Sequence, residues 1–309
     1  MPLLIKYLNK MDIIGIDVHK THKPEIPEMG GWGILLGLVT SLTIAIFLFP
    51  KYTVPFISFL CVIITAGVIG IYDDLRRLNP LAKPILLLFA VMPLIIFEVV
   101  VPRPLLPIIG QTRLTLVYWI VLPLAIAIPA NAVNMLDVFN GSMAASCIIA
   151  TFALLICGIL MDSMIAIILC IILIGSLLAF FQFNKYPAKI FSGDVGSLTT
   201  GAAVGAIAII GRLEIAVIIA LMPHIMNAFY FISSSGGLKE GRTLKRPTQV
   251  FPDGKMGISP HEDAPLTLTR LLLARGPLSE TDIVKHLCIL GVVSAILAII
   301  SILLIPKVI

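Results

Sequence analysis

The stretch MIAIILCIILIGSLLAFFQF, residues 164–183, contains no charged side chain in 20 residues. A helix that crosses a bilayer needs about 20 mostly apolar residues, so this stretch predicts a membrane span. Eight further apolar runs lie on either side of it, at Gly33–Phe49, Val54–Ile71, Pro84–Val101, Leu114–Ala130, Met143–Leu160, Val195–Ile210, Ile215–Ile232 and Ile283–Ile305. Only 13% of the 309 residues are charged and the mean hydropathy is +1.07, whereas a soluble domain has about 25% charged residues. We therefore predict an all-α, polytopic integral membrane protein with about nine transmembrane helices.

The charged residues are distributed unevenly between the connections that join these spans. Alternate connections lie on the same side of a membrane, and one set (1–32, 72–83, 131–142, 184–194 and 233–282), together with Lys285, holds 17 of the 22 Lys and Arg residues. Because Lys and Arg collect in cytoplasmic loops, this set is predicted to face the cytosol. It also holds 14 of the 17 Asp and Glu residues. A membrane face that carries many positively and negatively charged side chains is typical of a functional surface.

Two adjacent carboxylates, Asp73 and Asp74, close the second predicted span on this face. Beside a low-dielectric bilayer, such a pair needs a compensating cation, or one of the two stays protonated. With Asn134 and Asp194 the pair forms an all-oxygen set, which suits Mg²⁺ or Mn²⁺ better than zinc. The alternative interpretation is a solvated helix end that the two following arginines balance.

Four polar residues, Asn131, Asn134, Asp137 and Asn140, recur every three residues before the fifth predicted span. In a straight α-helix the first and last of them would be about 180° apart. Either this segment is not regular helix, or only two or three of the four contact one ligand. Loop and cap positions explain single Asn or Asp residues well, but they explain the whole run poorly.

Two more polar residues have both a structural and a functional interpretation. Asp194 precedes the seventh predicted span between Gly193 and Gly196, so it is either a helix N-cap or a group that a ligand can approach closely. Lys83 opens the third predicted span, where a lysine that extends its charged end to the membrane surface is ordinary.

The connection 233–282 is the one long loop, and it contains a basic run with Arg242, Lys245 and Arg246. These cations fit attraction to anionic lipid, at about 1 kcal/mol each, or a clamp for a multiply charged phosphate substrate. His261 in the same loop could titrate near neutrality, although a single loop histidine is most often unremarkable.

In this order and at these helix ends, the motifs resemble the polyprenyl-phosphate N-acetylhexosamine-1-phosphate transferases (glycosyltransferase family 4), membrane enzymes that use UDP-HexNAc and Mg²⁺. The resemblance runs from about Ile13 to Asp282, and it implies one transmembrane catalytic domain over residues 1–309. It implies catalytic roles for Asp73, Asp74 and Lys83, Mg²⁺ ligands (with Mn²⁺ as a substitute) at Asn134 and Asp194, and substrate contacts at Asp137 and Asn140, the last of these to uridine.

Other segments indicate the branch of this family. The segments 17–20 and 27–31, with the basic loop, look like archaeal enzymes related to the eukaryotic dolichol-phosphate GlcNAc-1-phosphate transferase. The peptidoglycan-precursor branch has consecutive histidines where this chain has Pro260-His261-Glu262-Asp263. The resemblance thus adds a catalytic role for His261 and substrate contacts at Lys20, Glu28, Arg242, Lys245 and Arg246. Relatives usually have ten spans, so the first is expected to be missing before residues 2–10.

The resemblance implies transfer of GlcNAc-1-phosphate from UDP-GlcNAc to a polyprenyl (dolichyl) phosphate at the cytosolic face of the cell membrane, with release of UMP. The expected partners are these two substrates, the lipid bilayer and a second copy of the chain in a homodimer, with no nucleic acid. The alternatives are another UDP-HexNAc or undecaprenyl phosphate, including the peptidoglycan-precursor type. From other classes, a non-catalytic scaffold would not need the acidic groups to converge, and a secondary transporter should have ionisable residues near the bilayer midplane.

Overall fold

Apolar helices make up most of the molecule, which the computed structural model describes at residues 1–239 and 244–306. In chain order the first elements are α1 (Pro2–Lys10), β1 (Ile14–Ile16), β2 (Glu25–Pro27), α2 (Gly31–Leu48) and α3 (Thr53–Arg76). Next are α4 (Ala82–Leu88), α5 (Met92–Ile96), β3 (Leu105–Leu106), β4 (Gly110–Gln111), α6 (Thr115–Val121) and α7 (Leu124–Leu136). The remaining elements are α8 (Ser142–Leu160), α9 (Met164–Asn184), α10 (Gly193–Gly211), α11 (Glu214–Ala220), α12 (Met222–Ser235), β5 (Thr248–Val250), β6 (Met256–Ile258), α13 (Leu268–Leu273) and α14 (Glu280–Leu303). The strands form three separate antiparallel pairs, β1 with β2, β3 with β4 and β5 with β6. These short pairs are minor additions to an all-α fold.

The prediction of a polytopic all-α membrane protein is confirmed. Within residues 1–239 and 244–306, seven helices are long and apolar enough to cross a membrane, or eight if a bent pair is one span. The seven are Gly31–Leu48, Pro50–Arg76, Thr115–Leu136, Ser142–Leu160, Met164–Asn184, Gly193–Gly211 and Glu280–Leu303. Two of the nine predicted spans are not single long helices: one is the shorter apolar segment Ala82–Ile96 and the other is the bent pair, and both are interrupted near a proline.

The third predicted span is shorter than expected, and the eighth is broken. Helices α4 and α5, with a 3-10 turn between them, cover only Ala82–Ile96. Helices α11 and α12 meet at a bend of 65°. Pro93 lies at the start of α5 and Pro223 at the start of α12. Because proline has no backbone N–H and clashes with the preceding turn, a regular helix is interrupted at both places.

Helix α10 lies in the middle of the bundle. Its most apolar window is 83% buried, against 33–56% for the other six spans. Glycines bring neighbouring helices close to it: a Cβ atom on Gly31 of α2 would lie 2.1 Å from the Gly196 nitrogen, and one on Gly201 would lie 2.4 Å from the Pro129 oxygen of α7. Small residues allow this approach of backbones inside a membrane. The N-terminus of α10 is thereby fixed among the ends of α2, α3 and α7.

The five connections that the charge distribution grouped together lie at one end of the bundle. The Gly30 N–H donates to the Phe191 carbonyl at 2.7 Å, which joins the N-terminal segment to the connection before α10. The loop 244–282 packs back on the same end, where Phe139, Met256 and Ile283 belong to one small apolar cluster. At the other end, the Ile108 N–H donates to the Leu304 carbonyl at 2.8 Å. The grouping of the connections is therefore confirmed.

Candidate active site

A polar cavity of about 630 Å³ opens where the five connections meet. Pockets of roughly 300–1,000 Å³ are typical of small-molecule sites. The predicted site residues that line it are Glu28, Asp73, Asp74, Lys83, Asn134, Asp137, Asn140 and Asp194. Residues from four separate connections thus converge on one space, which a non-catalytic scaffold would not require.

A partly buried cation, the Lys83 ammonium, lies between two carboxylates in this wall. The Lys83 ammonium forms an ion pair with Asp73 and donates to Asp194 Oδ2 at 2.7 Å. Asp73 comes from the last turn of α3, Lys83 from the first turn of α4, and Asp194 from the first turn of α10. Asp73 also accepts the Leu78 N–H at 2.5 Å, which fixes the turn between α3 and α4. Lys83 therefore holds together two acidic groups that are 121 positions apart.

Asn134 holds the other oxygen of Asp194. Its Nδ2 donates to Asp194 Oδ1 at 2.5 Å and to the Ser197 hydroxyl at 2.8 Å. Asn134 lies in the last turn of α7, and Ser197 lies one turn after Asp194 on α10. The close packing of α7 against α10 therefore sets the distance between the two predicted metal ligands.

Asp74 contacts backbone rather than another side chain. Its Oδ1 accepts the Asp194 N–H at 2.8 Å and its Oδ2 accepts the Val195 N–H at 3.0 Å. These are two of the first N–H groups of α10, which have no partner within the helix. Asp74 is thus a helix cap supplied by another helix, and it orients the backbone that carries Asp194. Gly193, with φ of +67°, makes room for this contact, since a Cβ atom there would lie 2.7 Å from Asp74 Oδ2.

The oxygen-rich side chains fit the predicted divalent cation. Among the described residues, no group of three or more His, Cys, Asp or Glu side chains is arranged to hold a metal ion. Asp73 and Asp194 are, however, already arranged around a positive charge, that of Lys83. Mg²⁺ usually takes only one or two carboxylates and fills its other positions with water and substrate phosphate oxygens. The chemistry of the donors thus matches Mg²⁺ without a dedicated cage of protein ligands.

Asp137 also lines this cavity. It follows α7 directly and accepts a hydrogen bond from the Ser192 hydroxyl. Burial raises the pKa of the Asp137 carboxyl to about 7, although the bond from Ser192 opposes this shift. This half-buried carboxyl, which binds the segment before Asp194, connects α7 to α10 a second time.

Asn140 lies at the opposite side of the cavity in a network of charged groups. Its Nδ2 donates to Asp17 Oδ2 at 3.0 Å and also to Glu280, and its backbone N–H donates to Glu280 Oε1 at 2.8 Å. Its Oδ1 accepts the Ala188 N–H at 3.0 Å. Lys20 pairs with Glu280 and, at 3.3 Å, with Asp17. Lys20 does not line the cavity and its ammonium lies in an internal ion pair, so its substrate contact stays a prediction that this structure does not support.

Three predicted site residues of the long loop, Lys245, Arg246 and His261, do not line the first cavity. His261 is exposed, and its backbone carbonyl accepts a hydrogen bond from Arg270 at 3.2 Å. Arg246 lines a second cavity of about 200 Å³, which shares His19 and Phe139 with the first. Lys245 is exposed and lines neither cavity, and Arg242 lies outside the described residues.

Several residues of the site were not singled out from the sequence. Asp17 and His19 stand in a segment that was recognised, but only Lys20 was chosen from it. Asn184 lines the cavity with its Oδ1 buried and without a hydrogen-bond partner among the described residues. Glu280 gave no signal, because an acidic residue in the first turn of a helix is ordinary. Its partners in the structure lie 140 and 260 positions away in the sequence.

Comparison with known proteins finds relatives that match most of the chain. The sequence model of the family described as glycosyl transferase family 4 matches residues 56–212. A Methanocaldococcus jannaschii protein, provisionally named a glycosyltransferase, is 32% identical over 301 residues, which cover 96% of this chain and 91% of the relative. A Saccharolobus solfataricus protein, provisionally named a UDP-N-acetylglucosamine–dolichyl-phosphate N-acetylglucosaminephosphotransferase, is 30% identical over 96% of this chain and 90% of its own length. The phospho-N-acetylmuramoyl-pentapeptide-transferase of Halalkalibacterium halodurans is 31% identical over 71% of this chain and 72% of its own length. The chain is a member of glycosyl transferase family 4.

Proposed function

We propose that the protein transfers GlcNAc-1-phosphate from UDP-GlcNAc to a polyprenyl phosphate, with dolichyl phosphate as the preferred acceptor, and releases UMP. The reaction would take place at the cytosolic membrane face and begin the assembly of a lipid-linked glycan. The archaeal relative named for this reaction matches along nearly the whole chain. The peptidoglycan-type relative matches a smaller share, which supports the dolichyl branch.

The observation that carries this proposal is the ion pair of Asp73, Lys83 and Asp194 on the wall of the 630 Å³ cavity. Transfer of a phosphoryl-type group needs reactants in line and charge neutralised on the phosphates. An ammonium ion between two carboxylates can move from one anionic partner to another without leaving the site. Lys83 is therefore suited to contact a substrate phosphate.

The position of the cavity suits one soluble and one lipid substrate. It lies at the ends of the spans, where their connections meet, and not midway along a helix. A secondary transporter would instead place its ionisable groups near the bilayer midplane. Apolar residues, among them Leu78, Pro84 and Phe231, line the same cavity as the charged groups. An acceptor phosphate on a lipid can thus meet a nucleotide sugar here.

The bond changes follow from the substrates. A phosphate oxygen of the lipid attacks the sugar-linked phosphorus of UDP-GlcNAc, and the bond from this phosphorus to the bridging oxygen of the diphosphate breaks. UMP leaves with that oxygen, and the product is the lipid diphosphate sugar. Asp73 orients the acceptor phosphate or takes its proton, while Lys83 steadies the phosphate charge. Asn134 and Asp74 keep Asp194 in place from two sides.

Asp194 and Asn134 are the residues that would hold Mg²⁺. The ion would neutralise negative charge on the diphosphate and make UMP a better leaving group. Asp194 lines the cavity, and its two oxygens accept hydrogen bonds from Lys83 and Asn134 in the structure.

The test is UMP release by the purified protein with Mg²⁺ and a panel of substrates. The panel pairs UDP-GlcNAc, UDP-GalNAc and UDP-MurNAc-pentapeptide with dolichyl and undecaprenyl phosphate. We expect UDP-GlcNAc with dolichyl phosphate to give the highest kcat/KM. A higher value for UDP-MurNAc-pentapeptide with undecaprenyl phosphate would assign the protein to the peptidoglycan branch. No UMP from any pair would contradict the proposal.

The Asp194→Asn variant tests the central residue. It keeps the size of the side chain but removes its charge, so we expect kcat to fall at least about 100-fold, as when one charge-stabilising group is lost elsewhere. Asp253→Asn removes a charge from an exposed side chain of the long loop and is the matched control. Near-normal turnover of Asp194→Asn at saturating UDP-GlcNAc would remove this residue from the mechanism.

A further inference from the structure

A buried group of charged residues lies beside the cavity and has no part in the bond changes described above. Asp17 is 3% exposed, Glu280 4% and Asn140 6%. Lys20 completes the group, and its ammonium also lies 4.4 Å from the centre of the Tyr186 ring. Four separate parts of the chain meet here: the N-terminal segment, the loop after α7, the connection before α10, and the first turn of α14. Burial of so many polar groups is costly unless each is paired.

The hydrogen bonds fix the orientation of the Asn140 amide. A side-chain amide nitrogen carries two N–H groups, and here one donates to Asp17 and the other to Glu280. The amide oxygen can accept two hydrogen bonds, and the Ala188 N–H uses one of them. The remaining capacity of Asn140 toward the cavity is therefore that of an acceptor.

The two carboxylate oxygens of Glu280 have different partners. Its Oε1 accepts from both the backbone and the side-chain nitrogen of Asn140, and its Oε2 pairs with Lys20. The ion pair with Lys20 prevents rotation of the carboxylate away from Asn140.

We propose that Glu280 is a positioning residue, which together with Asp17 holds the Asn140 amide so that it offers an acceptor to a hydrogen-bond donor of the bound nucleotide sugar. This inference rests on the proposed function, since it concerns how the cavity binds that substrate. Glu280 itself does not line the cavity. Its effect should therefore appear in substrate binding and not in the chemical step.

The informative variant is Glu280→Gln, which keeps the size of the side chain but has one oxygen acceptor instead of two. The Lys20 ammonium and the Asn140 N–H groups then compete for that single oxygen. The new N–H₂ group of the glutamine lies against whichever of these two donors loses the oxygen, and two donors cannot form a hydrogen bond with each other. We expect KM for UDP-GlcNAc and Kd for UDP to rise about tenfold, the effect of about one hydrogen bond. We expect kcat to change less than about threefold.

A second substitution provides the rescue. In Lys20→Met with Glu280→Gln, the competing ammonium is gone and the glutamine oxygen is free for Asn140. We expect KM and Kd in this double variant to return to within about threefold of the wild type. Asp253→Asn, which removes one exposed negative charge, should leave both values unchanged.

The measurements are UMP-release kinetics and calorimetric titration with UDP, with Tm recorded for each variant. An unchanged KM in Glu280→Gln, or a double variant that is worse than the single one, would overturn the proposal. A fall in Tm and kcat with KM unaffected would show a structural anchor only. If the wild type binds UDP but releases no UMP, the proposed function fails, and the UDP titration still decides the role of Glu280. If the wild type does neither, both fail.

Discussion

Two adjacent carboxylates, Asp73 and Asp74, have different surroundings because consecutive residues on a helix point about 100° apart. Asp73 faces Lys83 and the cavity centre, while Asp74 faces the backbone of α10. An Asp-Asp pair in a sequence suggests that both groups contact one metal ion. In the structure the first pairs with Lys83, which we propose contacts a substrate phosphate, and the second binds the backbone N–H groups at Asp194 and Val195.

Replacement of Asp74 tests whether this residue stabilises the N-terminus of α10. Loss of a helix cap costs about 0.5–2 kcal/mol, so Asp74→Ala should lower Tm by roughly 2–6 °C. Asp74→Asn keeps one oxygen acceptor and should lie between Ala and the wild type. Turnover should fall in the same order, because the first turn of α10 carries Asp194. Glu262→Ala, on the exposed loop, is the control, and an Asp74→Ala variant as stable as the wild type would contradict the cap.

His19 lies between the two cavities with its ring 4.8 Å from that of Phe139. Burial lowers the pKa of His19 from its usual 6.5, although Glu280 and Asp17 oppose the shift. The unfolded chain therefore binds a proton at a higher pH than the folded chain does. The contribution of His19 to stability is present above pH 6.5 and is lost as the pH falls toward the lowered pKa.

The corresponding experiment compares Tm at pH 7.5 and pH 5.5 for the wild type and His19→Gln. We expect the wild type to lose more of its Tm on acidification than the variant, because glutamine takes up no proton. His22, an exposed residue three positions after His19, gives the matched control His22→Gln. An equal loss of Tm in the wild type and His19→Gln would show that His19 does not titrate in this range.

At the scale of elements, the geometry of the site depends on how closely α7 and α10 pack. Asn134 and Asp194 lie on different helices, and their contact requires the approach that Gly201 permits at Pro129 and Ala130. A Cβ atom on Gly201 would lie 2.4 Å from the Pro129 oxygen and 2.5 Å from the Ala130 Cα, so the two helices would have to separate.

Gly201→Ala should therefore destabilise the protein by about 1–3 kcal/mol and also reduce UMP release. Gly175→Ala is the matched control, since a Cβ atom on Gly175 of α9 would meet nothing within 4 Å. That control should be as stable as the wild type or more so, because alanine favours a helix. Similar Tm values for the two alanine variants would show that α7 and α10 tolerate separation.

The elements also show what the sequence could predict. The hydropathy of the sequence identified every apolar segment, because a helix that crosses the bilayer requires a long run of apolar residues. It missed the interruptions at Pro93 and Pro223, since both prolines stand inside runs whose hydropathy is continuous. Site residues that belong to a recognisable sequence motif, such as Asp194, could be predicted from the sequence. Glu280 could not, because its role depends on contacts between distant segments that leave no local pattern.

At the scale of the whole molecule, the two ends of the bundle differ in charge. The end with the cavity carries the five connections that hold most of the charged residues, and at the other end the described part of the chain has four of the 22 Lys and Arg residues, Lys51, Arg103, Arg113 and Arg212. The excess of Lys and Arg at the cavity end predicts that it faces the cytosol. A soluble nucleotide sugar made in the cytosol could then reach the site directly.

Single cysteines at the two ends test this orientation with a maleimide that cannot cross membranes. Asp253→Cys places a thiol on the exposed loop at the cavity end, and Gln111→Cys places one on the exposed β4 strand at the other end. The native cysteines lie within spans, three of them buried, so the wild type should give little labelling. We expect intact cells to label Gln111→Cys, and inverted vesicles to label Asp253→Cys. The reverse pattern would place the cavity outside the cytosol, where the proposed nucleotide-sugar donor would need its own route to the site.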